Sequence, residues 1–221
     1  DLYKDTETAI VLSDENLLIP LINSLPEKYP ESGNSIKYNV TLGYPLTFSP
    51  LKGFLYDWIN LLIENKQDGD EIRTRNLIKL LFSNVLISCL SNSQHSELKS
   101  ITKYFIEENL SFIGRVDLLN LFKLRANSLT DFANILFSKN VNAEILNRSI
   151  VDMLLLLNEK LDKNSPKNLI LKEQISNFLD LSKRFEISTL KDLKKLDIKT
   201  FSNLYFQLAS NYNINLKGEP L

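Results

Sequence analysis

From residue 72 to residue 213, apolar side chains recur at every third or fourth position, with short polar breaks between the runs. That spacing gathers them on one side of an α-helix, and no other feature restricts the fold of this chain as tightly. Ile150, Met153, Leu154, Leu157 and Leu161 form one stripe, and Leu171, Ile175, Phe178 and Leu179 form a second. Phe201, Leu204, Tyr205 and Leu208 form a third. The breaks "NKQDGDE", "SNSQHS", "RANS", "DKNSP" and "NINLKGEP" divide the region into roughly six or seven helices of ordinary length. Thr189 and Asp192 have the spacing of a capping box. Only six glycines and seven prolines occur in 221 residues, which favours long helices over an all-β architecture. No fixed repeat period is visible, so a regular solenoid is not expected.

Residues 1–66 read differently. "TAIVLS" (8–13) is short, apolar and β-branched, and it stops at Asp14, a residue suited to cap a helix. Leu17, Leu18, Leu21, Ile22 and Leu25 then share one helical face, in which Pro20 predicts a late start or a bend. A polar loop over 26–35 leads to a second predicted strand, "IKYNVTLGY" (36–44). Ser49 is placed to cap the next helix, with Pro50 at its first position, where a missing N–H costs nothing. Leu51, Phe54, Leu55, Trp58, Leu61 and Leu62 repeat behind it at helical spacing. Strand, helix, strand, helix with short loops predicts a βαβα unit with parallel strands and a right-handed crossover. Two parallel strands form a poor sheet alone, and further strands are hard to find later in the chain.

Composition excludes several classes. A formal charge of -1 does not suit a surface given over to nucleic acid, although it permits a local basic patch. The single cysteine, Cys89, rules out an internal disulfide and fits a reducing, cytoplasmic setting. Apolar runs such as "DMLLLLNEKL" fall well short of the roughly 20 residues that span a bilayer. No basic start followed by an apolar core opens the sequence, so neither signal peptide nor membrane partner is expected.

Candidate chemistry is sparse. Neither a Walker-type nor a Gly-x-Gly-x-x-Gly loop is present to cradle phosphates. Asp57, Glu64 and Lys66 imitate the D…E-x-K pattern of metal-dependent nucleases, in which two carboxylates converge on a divalent ion. Here they lie about two turns apart along one predicted helix, which reads as a solvated face. Asp68, Asp70 and Glu71 form an acidic run suited to a helix start and lack the spacing of a calcium loop. Cys89 sits in an apolar run and His95 in a polar turn, with no third group nearby to orient a nucleophile–base pair. Lys191, Lys194, Lys195 and Lys199 are candidates for contact with a DNA backbone, although Asp192 and Asp197 interleave with them as on an ordinary solvated face. Phe105, Phe112, Phe122, Phe132 and Phe137 stand beside leucines and read as core. No catalytic residue and no cofactor or metal ligand is assigned.

Three stretches occur in a characteristic order: "TAIVLSDENLLIPLINSLP" (8–26), "YNVTLGYPLTFSPLKGFLYDWINLL" (38–62) and "GEPL" (218–221). Together they resemble the helicase-like half of Bacteroidetes PD-(D/E)XK nuclease proteins, relatives of the AddB subunit of helicase–nucleases. The specific matches cover about a quarter of the chain, and the helical middle is placed by its position between them. The resemblance implies a fragment mainly of α class with a small α/β part. Residues 1–66 would belong to the second RecA-like domain and its incomplete parallel sheet. Residues 67–215 would be an inserted helical subdomain, and residues 216–221 the start of the return to the sheet.

The resemblance also implies a function. The segment would be a non-catalytic scaffold of a DNA repair and recombination nuclease that processes double-strand ends, positioning DNA or a helicase partner subunit. The alternative is a helical module that docks a protein and makes no direct DNA contact. A Walker-type loop would lie upstream, and the nuclease carboxylates and lysine, with a divalent metal such as Mg, downstream. Active helicases of this superfamily carry a phosphate-binding Arg just after the strand matching "VTLGYPL". Here "TFSPLKG" offers only Lys52 as a candidate phosphate contact.

Overall fold

The computed structural model describes residues 10–14, 17–26, 43–67, 70–138, 142–161, 166–187, 196–211 and 213–215. Ten α-helices run through them: α1 (Leu18–Ser24), α2 (Pro50–Gln67), α3 (Thr74–Leu81), α4 (Asn84–Cys89), α5 (Asn92–Glu107), α6 (Arg115–Arg125), α7 (Thr130–Leu136), α8 (Ala143–Lys160), α9 (Pro166–Ile187) and α10 (Ile198–Ala209). Four three-residue strands accompany them: β1 (Gly43–Pro45), β2 (Glu71–Arg73), β3 (Phe112–Gly114) and β4 (Asn213–Asn215). The protein is mainly a multi-helix bundle, as the leucine stripes predict. None of the described helices is long and apolar enough to cross a membrane.

The stripes become the core. Ile150, Met153, Leu154 and Leu157 of α8 are completely buried, and Phe178 and Ile175 of α9 face them. On α10 the buried face runs through Ile198, Phe201, Tyr205 and Ala209, while Leu208 points outward. Tyr205 stacks on Phe178 and Phe185 at centroid distances of 6.1 and 5.5 Å. Its hydroxyl donates to the Phe178 carbonyl and bonds Ser182 Oγ at 2.9 Å, which satisfies a polar group that burial would otherwise penalise. Helix α2 is part of the same core, packed against α3, α4, α9 and α10. Its Trp58 is fully buried and donates Nε1–H to the Leu136 carbonyl at the end of α7, 2.9 Å away.

Helix starts follow local chemistry. Ser49 Oγ accepts the Lys52 N–H at 3.0 Å and Pro50 opens α2, as the sequence indicates. "SNSQ" contains a full capping box: Ser91 Oγ accepts from Gln94 N–H, and Gln94 Oε1 accepts from Ser91 N–H. Asp197 caps α10, accepting from the backbone N–H groups of Lys199 and Thr200. The expected box at Thr189 and Asp192 lies outside the described residues. Helix α1 starts late, at Leu18, so Pro20 falls within the first turn, where its missing N–H removes no helical bond. Leu17, not Asp14, is its N-cap.

The strands depart from expectation. Residues 10–13, the described part of "TAIVLS", form no strand, and Val11 is 91% exposed. A β-branched run becomes a strand only where a neighbour accepts its backbone groups. Of "IKYNVTLGY", only Gly43 and Tyr44 are described. They pair antiparallel with β4, Gly43 opposite Asn215 and Tyr44 opposite Ile214, and not parallel to another strand. The chain returns from α10 in the opposite direction, which makes the pair antiparallel. A second antiparallel pair, β2 with β3, was not expected at all. Ile72 and Ile113 face each other within it and are buried, and further bonds from Thr74 N–H to the Ser111 carbonyl and from Arg115 N–H to the Asp70 carbonyl extend the ladder. Eight helices, rather than six or seven, lie between Thr74 and Ala209 among the described residues, because Ser83 restarts the chain as α4 and Thr130 opens a separate α7.

Candidate functional site

A cleft of about 300 Å3 opens where α2 begins. Thr47, Phe48, Ser49, Lys52, Gly53 and Tyr56 line one side, and Phe206 of α10 closes the other. The turn Leu46–Phe48 leads from β1 into α2; Leu46 is buried beneath it, while Phe48 is 55% exposed. Tyr56 is 48% exposed and meets Phe206 edge-on at 5.6 Å. Gly53 is helical, and a Cβ added there would meet nothing within 4 Å. Lys52 is half-buried and is the only charged residue among the described residues of the lining. The helix end itself has few donors left. Pro50 has no N–H, Lys52 N–H is held by Ser49 Oγ, and Gly53 N–H by the Ser49 carbonyl. An anion here would therefore be met by the lysine more than by the backbone.

The other singled-out residues do not converge. Asp57 bonds Lys79 at 2.9 Å and Glu64 accepts from Asn76 at 2.8 Å, so both carboxylates tie α2 to α3. Asp68 and the side chain of Lys66 lie outside the described residues. Asp70 adopts a positive φ of 78° ahead of β2 and sits 3.6 Å from Arg115 Nε, and Glu71 belongs to a strand rather than to a helix start. Among the described residues no group of three or more His, Cys, Asp or Glu is placed to hold a metal ion.

Cys89 is buried in α4, and burial pushes its thiol up to about 11, so the nucleophilic thiolate is scarce near neutral pH. His95 Nε2 bonds the Ile87 carbonyl at 3.0 Å and braces α5 against α4. Lys199 is exposed on the first turn of α10. It lies seven residues, or about 10 Å of helix, from Phe206, so it does not share the cleft with Lys52. Lys191, Lys194 and Lys195 lie outside the described residues. Asp197 is held below the usual carboxylate range, chiefly by the Thr200 hydroxyl and then by the Thr200 N–H. Phe105, Phe122, Phe132 and Phe137 are core as expected, whereas Phe112 is 45% exposed under the Arg73 guanidinium.

Sequence reasoning missed Phe48, Gly53, Tyr56 and Phe206. The available signal was negative: all four fall off the apolar stripes, and Gly53 interrupts a helix without marking its end. No family model matches the chain, and neither a curated protein nor a solved structure matches it.

Proposed function

We propose that this chain is a non-catalytic, helicase-like scaffold segment of an AddB-like DNA repair nuclease, positioning DNA or the partner subunit at processed double-strand ends. The observation that carries this reading is the β1–β4 ladder. It sets residues 43–45, in the 1–66 segment, beside residues 213–215, the last of the 67–215 insert, so the end of the insert returns to the segment that leads into it. A larger fold can carry such a closed body as an insert. The ladder is antiparallel, so it closes the insert and is not itself part of a parallel sheet.

The sequence stretches at 8–26, 38–62 and 218–221 support a RecA-like host. Its parallel sheet, its Walker-type loop and its nuclease residues belong to the proposal. A divalent metal such as Mg would bind to the parent's nuclease residues. The residues described here do not fit one, since Asp57 and Glu64 are engaged by Lys79 and Asn76.

Lys52 and Lys199 are the described candidates for backbone contact. Fluorescence anisotropy of labelled DNA against rising salt tests the reading. Affinity that falls steeply with salt is expected. No binding at low salt overturns direct DNA contact and favours a second reading, a module that docks a protein. One observation favours that alternative: Val116 and Leu124, eight residues apart and so on one face of α6, are 60% and 83% exposed.

A further inference from the structure

We infer that the cleft at the start of α2 takes one unpaired base of single-stranded DNA, with Lys52 on the adjoining phosphate. The inference rests on the DNA-handling reading above and names the ligand class of this cleft. Three observations lead to it. First, the walls are aromatic: Phe48, Tyr56 and Phe206 all line the cleft, and Phe48 and Tyr56 expose about half their surface. Aromatic faces beside a cation are the chemistry by which proteins hold unpaired nucleotides without reading their sequence. Second, Lys52 is the only charge among the described residues of the lining, and none of those residues is acidic, so the local field they set suits an anionic chain.

Third, Gly53 is unexplained by the fold. Glycine weakens a helix interior relative to alanine, and it is retained where backbone must approach another body closely or turn sharply. Here the backbone is helical and a Cβ would meet no atom of the described residues within 4 Å. Among the described residues it leaves backbone, rather than a side chain, in the lining of the cleft, where a planar group can lie against it. A duplex keeps its base faces stacked inside, so the ligand is single-stranded. At about 300 Å3 the cleft is large enough to admit a base.

The test uses the whole chain, a fluorescein-labelled oligothymidylate, and an abasic oligonucleotide of equal length that keeps the phosphates and lacks the bases. The wild type is expected to bind oligothymidylate on the order of tenfold more tightly than the abasic strand. Gly53→Leu puts a side chain over this backbone and is expected to remove that preference without lowering Tm. Lys52→Ala is expected to reduce the salt slope by about one. Should Gly53→Leu fail to fold, Tyr56→Ala, which removes an exposed wall, reports the same loss of preference. Equal affinity for both strands, or an unchanged preference in Gly53→Leu, overturns the base site and leaves the scaffold reading standing. No binding of either strand overturns both the base site and direct DNA contact.

Discussion

Tyr205 and Phe206 are consecutive on α10, and they separate the two kinds of aromatic surface in this protein. Tyr205 is fully buried among Phe178, Phe185 and Phe201, with its hydroxyl bonded to Ser182. Phe206 touches Tyr205 edge-on at 5.7 Å on one side and borders the α2 cleft on the other. On the first side the space between rings is filled and every hydroxyl is satisfied. On the second side the rings flank space that the described residues leave open. Aromatic content therefore does not distinguish core from site here; complementarity does, because a core ring is stabilised by the atoms that enclose it.

The largest expected effect contrasts the two sides directly. Phe178→Ala opens a cavity under Tyr205 and is expected to cost about 3–5 kcal/mol in urea unfolding. Tyr56→Ala at the cleft should stay within about 0.5 kcal/mol. A comparable loss at both would erase the distinction.

Alkaline pH probes burial on the core side. Cys89 has its thiol raised from 9.0 to about 11, chiefly by burial, so the unfolded chain releases the proton first. The associated stability is complete below pH 9 and is lost as pH rises toward 11, by on the order of 2 kcal/mol. Tyr205, also raised by burial, adds to the loss from about pH 10 upward. Denaturant midpoints between pH 8 and 11 should fall in the wild type and fall less in Cys89→Ala. Equal slopes in the two proteins would show that the thiol is not sealed.

Tyr205→Phe keeps the ring and removes the hydroxyl, leaving Ser182 Oγ and the Phe178 carbonyl short of a partner. A cost of about 1–2 kcal/mol is expected by chemical denaturation, and Tyr205→Phe with Ser182→Ala should cost less than the sum of the singles. Opposite in sign is Gly53→Ala, expected to stabilise α2 by about 0.5–1 kcal/mol, or roughly 2 °C in Tm. Destabilisation there would mean that the fold itself needs the glycine.

The helical body was legible because its signal is local and repeated. Ile150, Met153, Leu154 and Leu157 declare a buried face by spacing alone, and Ser49–Pro50 declares a helix start by capping chemistry. The stripe on α10 was only partly right: Leu208 has the period but is exposed, because burial depends on which neighbours pack against a face. The three-residue strands β2 and β3 were not legible. A single isoleucine in each shows no alternation, and the pairing of Ile72 with Ile113 joins segments about forty residues apart. The cleft was illegible for the same reason, since Phe206 and Tyr56 meet only after the chain has folded.

By itself the sequence determined the helical class, the start of α2 at Ser49–Pro50, and the assignment of Trp58, Phe178 and Tyr205 to apolar faces. These follow from short-range periodicity and from backbone donors that must be capped within a few residues. Tertiary structure alone decided that the carboxylates of Asp57 and Glu64 serve as braces to α3. It also decided that β1 meets β4 antiparallel and that the rings at the start of α2 enclose an open cleft. Each of those outcomes is a contact between residues far apart in the chain, and local propensity carries no information about such a contact.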